Sequence, residues 1–214
     1  NLYSKDMGIS GIQKDFHVGN IEANMTPYIL EERKMNVTQM DVFSRLMMDR
    51  ILWVSGPVND YMATVVQAQL LFLDNLGHED IQMYIDSPGG SVKAGLSMVD
   101  VMDYIKSDIS TVNAGMAASM GSVLLGAGTK GKRHSLRFSR TMLHQSSGGA
   151  VGNIQDAEIT MNEWRKTNNQ LFELLGEYCG KKPSVVAKDA SRDLWLSSQE
   201  ALDYGIIDSI ITKK

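Results

Sequence analysis

Short apolar runs alternate with longer segments of helical period along most of this 214-residue chain. Residues 51–54 and 81–85 have the apolar, partly β-branched make-up of buried strands, and each run ends at a turn rich in serine, glycine and proline. Between them, apolar residues recur at helical spacing over residues 59–75, with Gly77 past the end. This alternation predicts an α/β architecture built from repeated strand–helix units.

The rest of the chain continues the alternation. A short helix is predicted over residues 38–48, and a long helix is predicted after Gly152, with a narrow apolar stripe and polar residues elsewhere. So narrow a stripe indicates a helix that reaches out of the globule towards a neighbour. The other predicted elements are a helix through Leu96 to Ile105, strands over residues 109–114, 133–138, 141–144 and 206–211, and a short helix from Pro183.

Composition argues against several classes of protein. Hydrophobic residues make up 43% and charged residues 21%, as in an ordinary globular protein. The net charge of -4 argues against nucleic acid as a partner, since nucleic acids are held by basic surfaces. No apolar run approaches the length of a membrane span. The single cysteine, Cys179, cannot form an internal disulfide, which favours a reducing, cytoplasmic setting.

The first two dozen residues differ from the remainder. They mix glycines with scattered charges, show no sustained period and contain no apolar stretch that would suit a signal peptide. We therefore expect residues 1–24 to form a flexible tail and residues 25–214 to form one domain. A domain of that size needs neither a metal nor a disulfide to hold its core, so neither is expected.

The segment Gly-Met-Ala-Ala-Ser-Met-Gly, residues 115–121, places Ser119 between a β-branched run and a helical one. A serine at such a strand-to-helix corner has its hydroxyl turned outwards, beside helix amides that have no intrahelical partner. Small neighbours let the backbone bend sharply there. The corner suits a nucleophile, although a helix of small residues packed in a core would have the same pattern.

A serine nucleophile needs a base within hydrogen-bonding reach, and the chain has four histidines. His17 lies in the tail, His78 lies in a turn between a predicted helix and a predicted strand, and His134 lies at the basic, solvated turn of residues 130–133. His144 alone ends an apolar strand next to a glycine-rich loop, where a base would be presented. A histidine at a strand end can also be satisfied by the backbone, so this context leaves both roles open.

The turn Ser-Pro-Gly-Gly, residues 87–90, adds a second chemical feature. A glycine pair at a helix start lets backbone amides point into a cavity. The N–H groups of Gly90 and Met120 could together hold the oxyanion of a tetrahedral intermediate. An ordinary turn has the same composition, and a phosphate-binding loop is disfavoured because no Gly-Lys-Ser/Thr sequence completes one.

Four motifs in order resemble the Clp protease family of ClpP type. They are Tyr-Ile-Asp-Ser-Pro-Gly-Gly (residues 84–90), Gly-Met-Ala-Ala-Ser-Met-Gly (115–121), Thr-Met-Leu-His-Gln (141–145) and Ser-Arg-Asp (191–193). The serine-to-histidine separation, 144 − 119 = 25, and the histidine-to-aspartate separation, 193 − 144 = 49, are also similar to that family's. The resemblance runs from about residue 41 to 211 and implies a ClpP/crotonase-like fold with a protruding handle helix.

The resemblance implies a serine endopeptidase with a Ser-His-Asp triad. Ser119 would be the nucleophile, His144 the general base and then acid, and Asp193 the residue that orients the imidazole and stabilises its cation. The N–H groups of Gly90 and Met120 would form the oxyanion site. Arg192, next to Asp193, resembles the arginine that links rings in this family and couples assembly to the alignment of the triad.

The resemblance also implies a substrate site and an assembly. An unfolded peptide would add as a strand to the backbone edge offered by Gly148, Gly149, Ala150, Val151 and Gly152. The long helix after them would join two heptameric rings of identical subunits into a barrel. A hexameric AAA+ unfoldase would consume the ATP, since this chain has no nucleotide motif and is expected to need no cofactor. Residues 1 to about 24 would be a propeptide that the enzyme removes itself.

Two other functions are compatible with parts of this pattern. A crotonase-type enzyme shares the fold and a paired-amide oxyanion site but acts on acyl-coenzyme A thioesters, with carboxylates or other groups in place of a serine–histidine pair. A non-catalytic ring subunit would only dock partners. The filled triad positions, Ser119, His144 and Asp193, count against both.

Overall fold

The computed structural model describes residues 28–33, 36–148 and 153–213. These residues form two compact units that divide between Asp49 and Arg50. The predicted tail, residues 1–24, and residues 149–152 of the predicted substrate loop lie outside the described residues. The prediction of one domain from residue 25 onward stays a prediction.

The first unit contains a hairpin and a short helix. Strand β1 (Tyr28–Arg33) pairs antiparallel with β2 (Asn36–Asp41), and helix α1 (Val42–Met48) follows directly. Asp41 caps the helix, since its carboxylate accepts the N–H groups of Phe43 and Ser44. The predicted helix over residues 38–48 is therefore wrong at its start, because residues 38–41 pair in the hairpin.

In its described residues, the second unit is built on a seven-stranded sheet. Five of its strands run parallel in the spatial order β3 (Ile51–Ser55), β4 (Ile81–Ser87), β5 (Ile109–Ala118), β6 (Arg133–Leu136) and β9 (Ser209–Ile211). The last residues of β5 extend past β6 and pair with β7 (Arg140–Leu143), which pairs antiparallel with β8 (Leu194–Ser197). Strands and helices alternate along the chain, which confirms the predicted α/β architecture.

The described part of the second unit has six helices. They are α2 (Asp60–Leu76), α3 (Val92–Tyr104), α4 (Met120–Gly126), α5 (Ile154–Cys179), α6 (Pro183–Asp189) and α7 (Ser198–Tyr204). Asn59 caps α2 by accepting the N–H of Met62, and Gly77 ends it as predicted. Among the described residues, no helix is both long and apolar enough to cross a membrane.

Helix α5 is the longest of these, with 26 residues. Its buried residues, Leu171, Phe172, Leu175 and Gly176, all lie in its last third. Residues 154–170 of the helix are exposed or half-buried, so its first part extends away from the core that its end packs on. This arrangement fits the prediction of a protruding helix.

Two predicted strands are shorter in the structure. The run 133–138 stops pairing at Leu136, and Phe138 is 85% exposed. The run 206–211 pairs only from Ser209, because the N–H of Ile206 bonds to the carbonyl of Ala201 at the end of α7. Ile206 is buried nevertheless, so its apolar character serves the core without a strand.

Candidate active site

Three neighbouring strands carry the candidate triad. In the parallel pair of β5 and β7, Ala118 lies opposite Met142, and the N–H of Ser119 donates to the carbonyl of Met142 at 2.9 Å. In the antiparallel pair of β7 and β8, Leu143 lies opposite Leu194. The residue after one strand therefore meets the residue before the other, which places His144 beside Asp193.

The three side chains are in contact in the order expected of a triad. His144 Nε2 lies 2.7 Å from Ser119 Oγ, a hydrogen-bonding distance. His144 Nδ1 lies 3.3 Å from Asp193 Oδ1. The imidazole is largely buried, with 24% of its side chain exposed, whereas 62% of the Asp193 side chain is exposed. The histidine can therefore exchange a proton with the serine while the carboxylate faces its other nitrogen.

Ser119 occupies an unusual backbone conformation. Its φ is +53° and its ψ is -121°, a backbone conformation that residues other than glycine rarely adopt. The residue precedes α4, yet its side chain makes no capping hydrogen bond to that helix. The strained corner turns the hydroxyl away from the helix and towards His144, as in the nucleophile elbows of hydrolases.

The turn at Gly89 and Gly90 packs directly on this corner. Gly89 has φ +89°, and a Cβ built on it would lie 2.6 Å from the Cβ of Ser119 and 2.8 Å from the nitrogen of Met120. The residues around Gly90 are held by Val58, whose N–H donates to the carbonyl of Gly89 and whose carbonyl accepts the N–H of Ser91. Only glycine at position 89 leaves room for this approach.

The two amides predicted for an oxyanion site lie next to this close approach. Within the described part of the chain, neither the N–H of Gly90 nor that of Met120 donates a hydrogen bond to another protein group. Met120 is the first residue of α4, where backbone donors have no intrahelical acceptor. Both donors are therefore free for a ligand oxygen.

Ser87 supports this turn, a role that the sequence analysis does not assign. Its side chain is fully buried, and its hydroxyl donates to the carbonyl of Gly56 at 2.6 Å and accepts the N–H of Gly89 at 3.1 Å. A serine just before Pro-Gly-Gly is the signal that could have identified it, since serine side chains commonly bond the backbone two residues on.

The other predicted site residues are placed only in part. Gly148 is exposed and lies against the ring of Trp164 on α5, where a Cβ on Gly148 would overlap the ring. Gly149, Ala150, Val151 and Gly152 lie outside the described residues. Arg192 is exposed, and it lines a surface cavity together with His144, Asp193 and Trp164.

Metal ligation has no candidate in the described ranges. No three His, Cys, Asp or Glu side chains there are grouped as metal ligands would be.

Comparison with known proteins matches the chain to one family and to relatives that carry the same name. The family model described as Clp protease matches residues 33–214. The chain is similar to proteins named ATP-dependent Clp protease proteolytic subunit from three bacteria. The identity is 52% over 191 residues for a Bacteroides fragilis protein (89% of this chain, 92% of that protein), 48% over 212 residues for one from Bacteroides thetaiotaomicron (99% and 96%), and 46% over 211 residues for one from Porphyromonas gingivalis (98% and 95%).

These matches favour neither the acyl-coenzyme A enzyme nor the non-catalytic subunit. They cover the strands that bear Ser119, His144 and Asp193. The family match over most of the chain, the identity to relatives of nearly the same length and the α/β fold agree with one another. The chain belongs to the Clp protease family of serine peptidases.

Proposed function

We propose that this chain is the proteolytic subunit of an ATP-dependent Clp protease and hydrolyses peptide bonds in unfolded polypeptides and short peptides. The observation that carries the proposal is the 2.7 Å contact between Ser119 Oγ and His144 Nε2 at a strained strand-to-helix corner, with Asp193 beside the other imidazole nitrogen. The names of the relatives support the same function.

The reaction runs through an acyl-enzyme. His144 Nε2 takes the proton of the Ser119 hydroxyl while Oγ attacks the peptide carbonyl carbon. The imidazolium then gives this proton to the leaving amine as the C–N bond breaks, which leaves the acyl group on Ser119. His144 then takes a proton from a water molecule as its oxygen attacks the ester carbon. The imidazolium returns this proton to Ser119 Oγ as the ester C–O bond breaks, which frees the serine and the new carboxyl end of the peptide. Asp193 accepts from Nδ1–H, which selects the reactive tautomer and stabilises the cation.

The N–H groups of Gly90 and Met120 stabilise the negative oxygen of both tetrahedral intermediates. One such donor contributes about 2.7–4 kcal/mol to a transition state, and a general base adds roughly 100- to 10,000-fold in rate. An amide substrate requires both contributions. The chemistry uses no metal and no cofactor of this chain.

Substrate binds along the backbone of residues 148–152. An unfolded peptide adds there as a strand, so main-chain hydrogen bonds supply the affinity and side-chain selectivity is low. Gly148, Gly149, Ala150, Val151 and Gly152 present little side-chain bulk to such a strand. Low selectivity requires another restriction on which proteins are cut.

Assembly provides that restriction. Two heptameric rings of this chain enclose the active sites in a barrel, with α5 and Arg192 at the contact between the rings. A hexameric AAA+ unfoldase uses ATP to unfold proteins and feed them in, and the barrel works in the cytoplasm. The exposed first part of α5 and the words "ATP-dependent" in the relatives' names support this arrangement.

The test combines peptide hydrolysis with labelling by a fluorophosphonate probe. Wild-type protein is expected to cleave a short fluorogenic peptide and to be labelled once per subunit, and Ser119→Ala is expected to lose both. Ser110→Ala, on the same strand β5, is the matched control and should retain both. Hydrolysis of the peptide by Ser119→Ala protein would contradict the proposal.

A further inference from the structure

The backbone that follows His144 is held from two sides. On one side, the N–H of Gln145 donates to the carbonyl of Ala190 at 3.0 Å, and the Gln145 amide reaches the carbonyl of Ser191. The strand ladder itself ends one residue before His144, at the pair of Leu143 with Leu194. The position of the imidazole therefore depends on contacts made by residues 145–148.

On the other side, Asn168 of α5 accepts two hydrogen bonds from one residue. The N–H of Ser146 lies 3.0 Å and its hydroxyl 3.2 Å from Asn168 Oδ1. A backbone N–H can only donate, so this contact fixes which end of the Asn168 amide faces the loop. Asn168 acts here as an acceptor only, and a carboxylate could do the same.

Trp164 holds the same loop one helical turn earlier. Residues 164 and 168 are four apart and share a face of α5. The Cζ2 and Cη2 atoms of Trp164 occupy the space that a Cβ on Gly148 would need. Trp164 and Asn168, which we call the α5 clamp, thus contact both ends of the segment 146–148.

We propose that the α5 clamp positions His144: it fixes the backbone after the histidine, so that the imidazole stays between Ser119 and Asp193. The inference rests on the proposed function, because it assumes that His144 is the base. Trp164 and Asn168 do not touch the reacting atoms and are positioning residues. A displacement of about 1 Å at a reacting group can lower a rate about 100-fold, so a loop held by few contacts matters to catalysis.

The main test replaces Asn168 in two ways. Asn168→Leu keeps the size but removes the acceptor, and we expect kcat for a short peptide to fall about tenfold or more with KM changed less than about twofold. Asn168→Asp keeps an acceptor for both donors and should restore kcat to within about twofold of wild type. Asn75→Leu, which changes an exposed asparagine near the end of α2, away from the proposed contact between rings, is the matched control and should behave as wild type.

The readouts separate positioning from folding. The rate constant for labelling of Ser119 by a fluorophosphonate should fall with kcat in Asn168→Leu, whereas the final labelled fraction and the particle size should match wild type. A merely structural role would lower the labelled fraction and leave the rate constant per folded subunit unchanged. Wild-type kcat in Asn168→Leu, or equal impairment of Asn168→Asp, would overturn the proposal.

A second pair of variants tests the positioning role without changing Asn168. This test also applies if Asn168→Leu does not assemble. Gly148→Ala should lower kcat because its Cβ collides with the Trp164 ring. Trp164→Phe removes the two ring atoms involved, so the double variant should be faster than Gly148→Ala alone. Failure of Trp164→Phe to rescue would overturn the proposal. An inactive wild type, by contrast, would refute the proposed function itself.

Discussion

Single residues at this site combine strain with close packing. Ser119 keeps a positive φ because its N–H is tied to the carbonyl of Met142 and its Cβ lies under Gly89. Strain of this kind costs on the order of 1–3 kcal/mol and persists only where the surroundings enforce it. From this corner, the Ser119 hydroxyl lies 2.7 Å from His144 Nε2.

Gly89 and Gly131 allow this packing to be separated from backbone strain, since both have φ +89° but nothing lies within 4 Å of a Cβ built on Gly131. We expect Gly131→Ala to lower the free energy of unfolding by about 1 kcal/mol and to leave peptide hydrolysis unchanged. Gly89→Ala also pushes on Ser119 and Met120, so we expect kcat/KM to fall about 100-fold or more. Thermal unfolding and the peptide assay measure the two effects, and equal activity in both variants would contradict the packing argument.

At the scale of elements, the arrangement of the candidate triad is a consequence of strand pairing. β5 is long enough to pair with β6 and then with β7, and its C-terminal residue Ala118 lies at the latter pairing. β8 runs antiparallel beside β7. Asp193, the residue before β8, therefore lies next to His144, the residue after β7. A shift of one residue in either register would turn these side chains to the wrong face of the sheet.

Asp193→Asn tests whether the carboxylate that this strand pairing places beside His144 is needed for catalysis. The new side-chain amide can donate a hydrogen bond to Nδ1, which favours the imidazole tautomer with its proton on Nε2. In that tautomer Nε2 cannot accept the proton of the Ser119 hydroxyl. We expect kcat to fall about 100-fold or more while KM changes little. Asp189→Asn on α6 changes a carboxylate that accepts from the Tyr204 hydroxyl instead, and it should keep wild-type kcat. Steady-state kinetics would contradict the prediction if the two variants were equally active.

At the scale of the whole second unit, one buried ion pair joins distant parts of the chain. Arg133 on β6 is 1% exposed, pairs with Asp208 at 2.7 Å, and donates to the carbonyls of Tyr178 and Gly205. It therefore links the ends of α5 and α7 to the sheet. Burial opposes ionisation of Asp208, but hydrogen bonds from Arg133 and its charge outweigh this effect and lower the pKa of Asp208 to about 2.

This pKa predicts how stability depends on pH. A carboxyl whose pKa is lower in the folded state stabilises the fold above its unfolded pKa of about 3.9, and the stabilisation is lost as the pH falls through about 2. Asp208→Asn leaves Arg133 buried without a charged partner, so we expect it to lower the free energy of unfolding by about 3–5 kcal/mol at pH 7. Denaturant unfolding at several pH values should show the difference from wild type shrinking below about pH 4. A difference that does not change with pH would contradict the prediction.

Local patterns in the chain were sufficient for much of the fold. The strands at 51–55 and 81–87 and the helix ended by Gly77 follow from apolar spacing and turn residues. Ser119 was identifiable because a small-residue corner between a strand and a helix is a local feature. The helix over 38–48 was wrong at its start because pairing with β1, a contact beyond the segment, determines the structure of residues 38–41.

The sequence by itself determined the alternating elements, the serine corner and the histidine at a strand end, since each depends on neighbouring residues. The family resemblance implied Asp193 as the third triad residue, but only the tertiary structure decided that it lies beside His144, 49 residues away, and that Asn168 and Trp164 hold the loop of residues 146–148. The physical reason is that strand register and helix packing are set by burial over the whole unit. The polar residues of α5 by themselves therefore do not predict which segment of the chain they will contact.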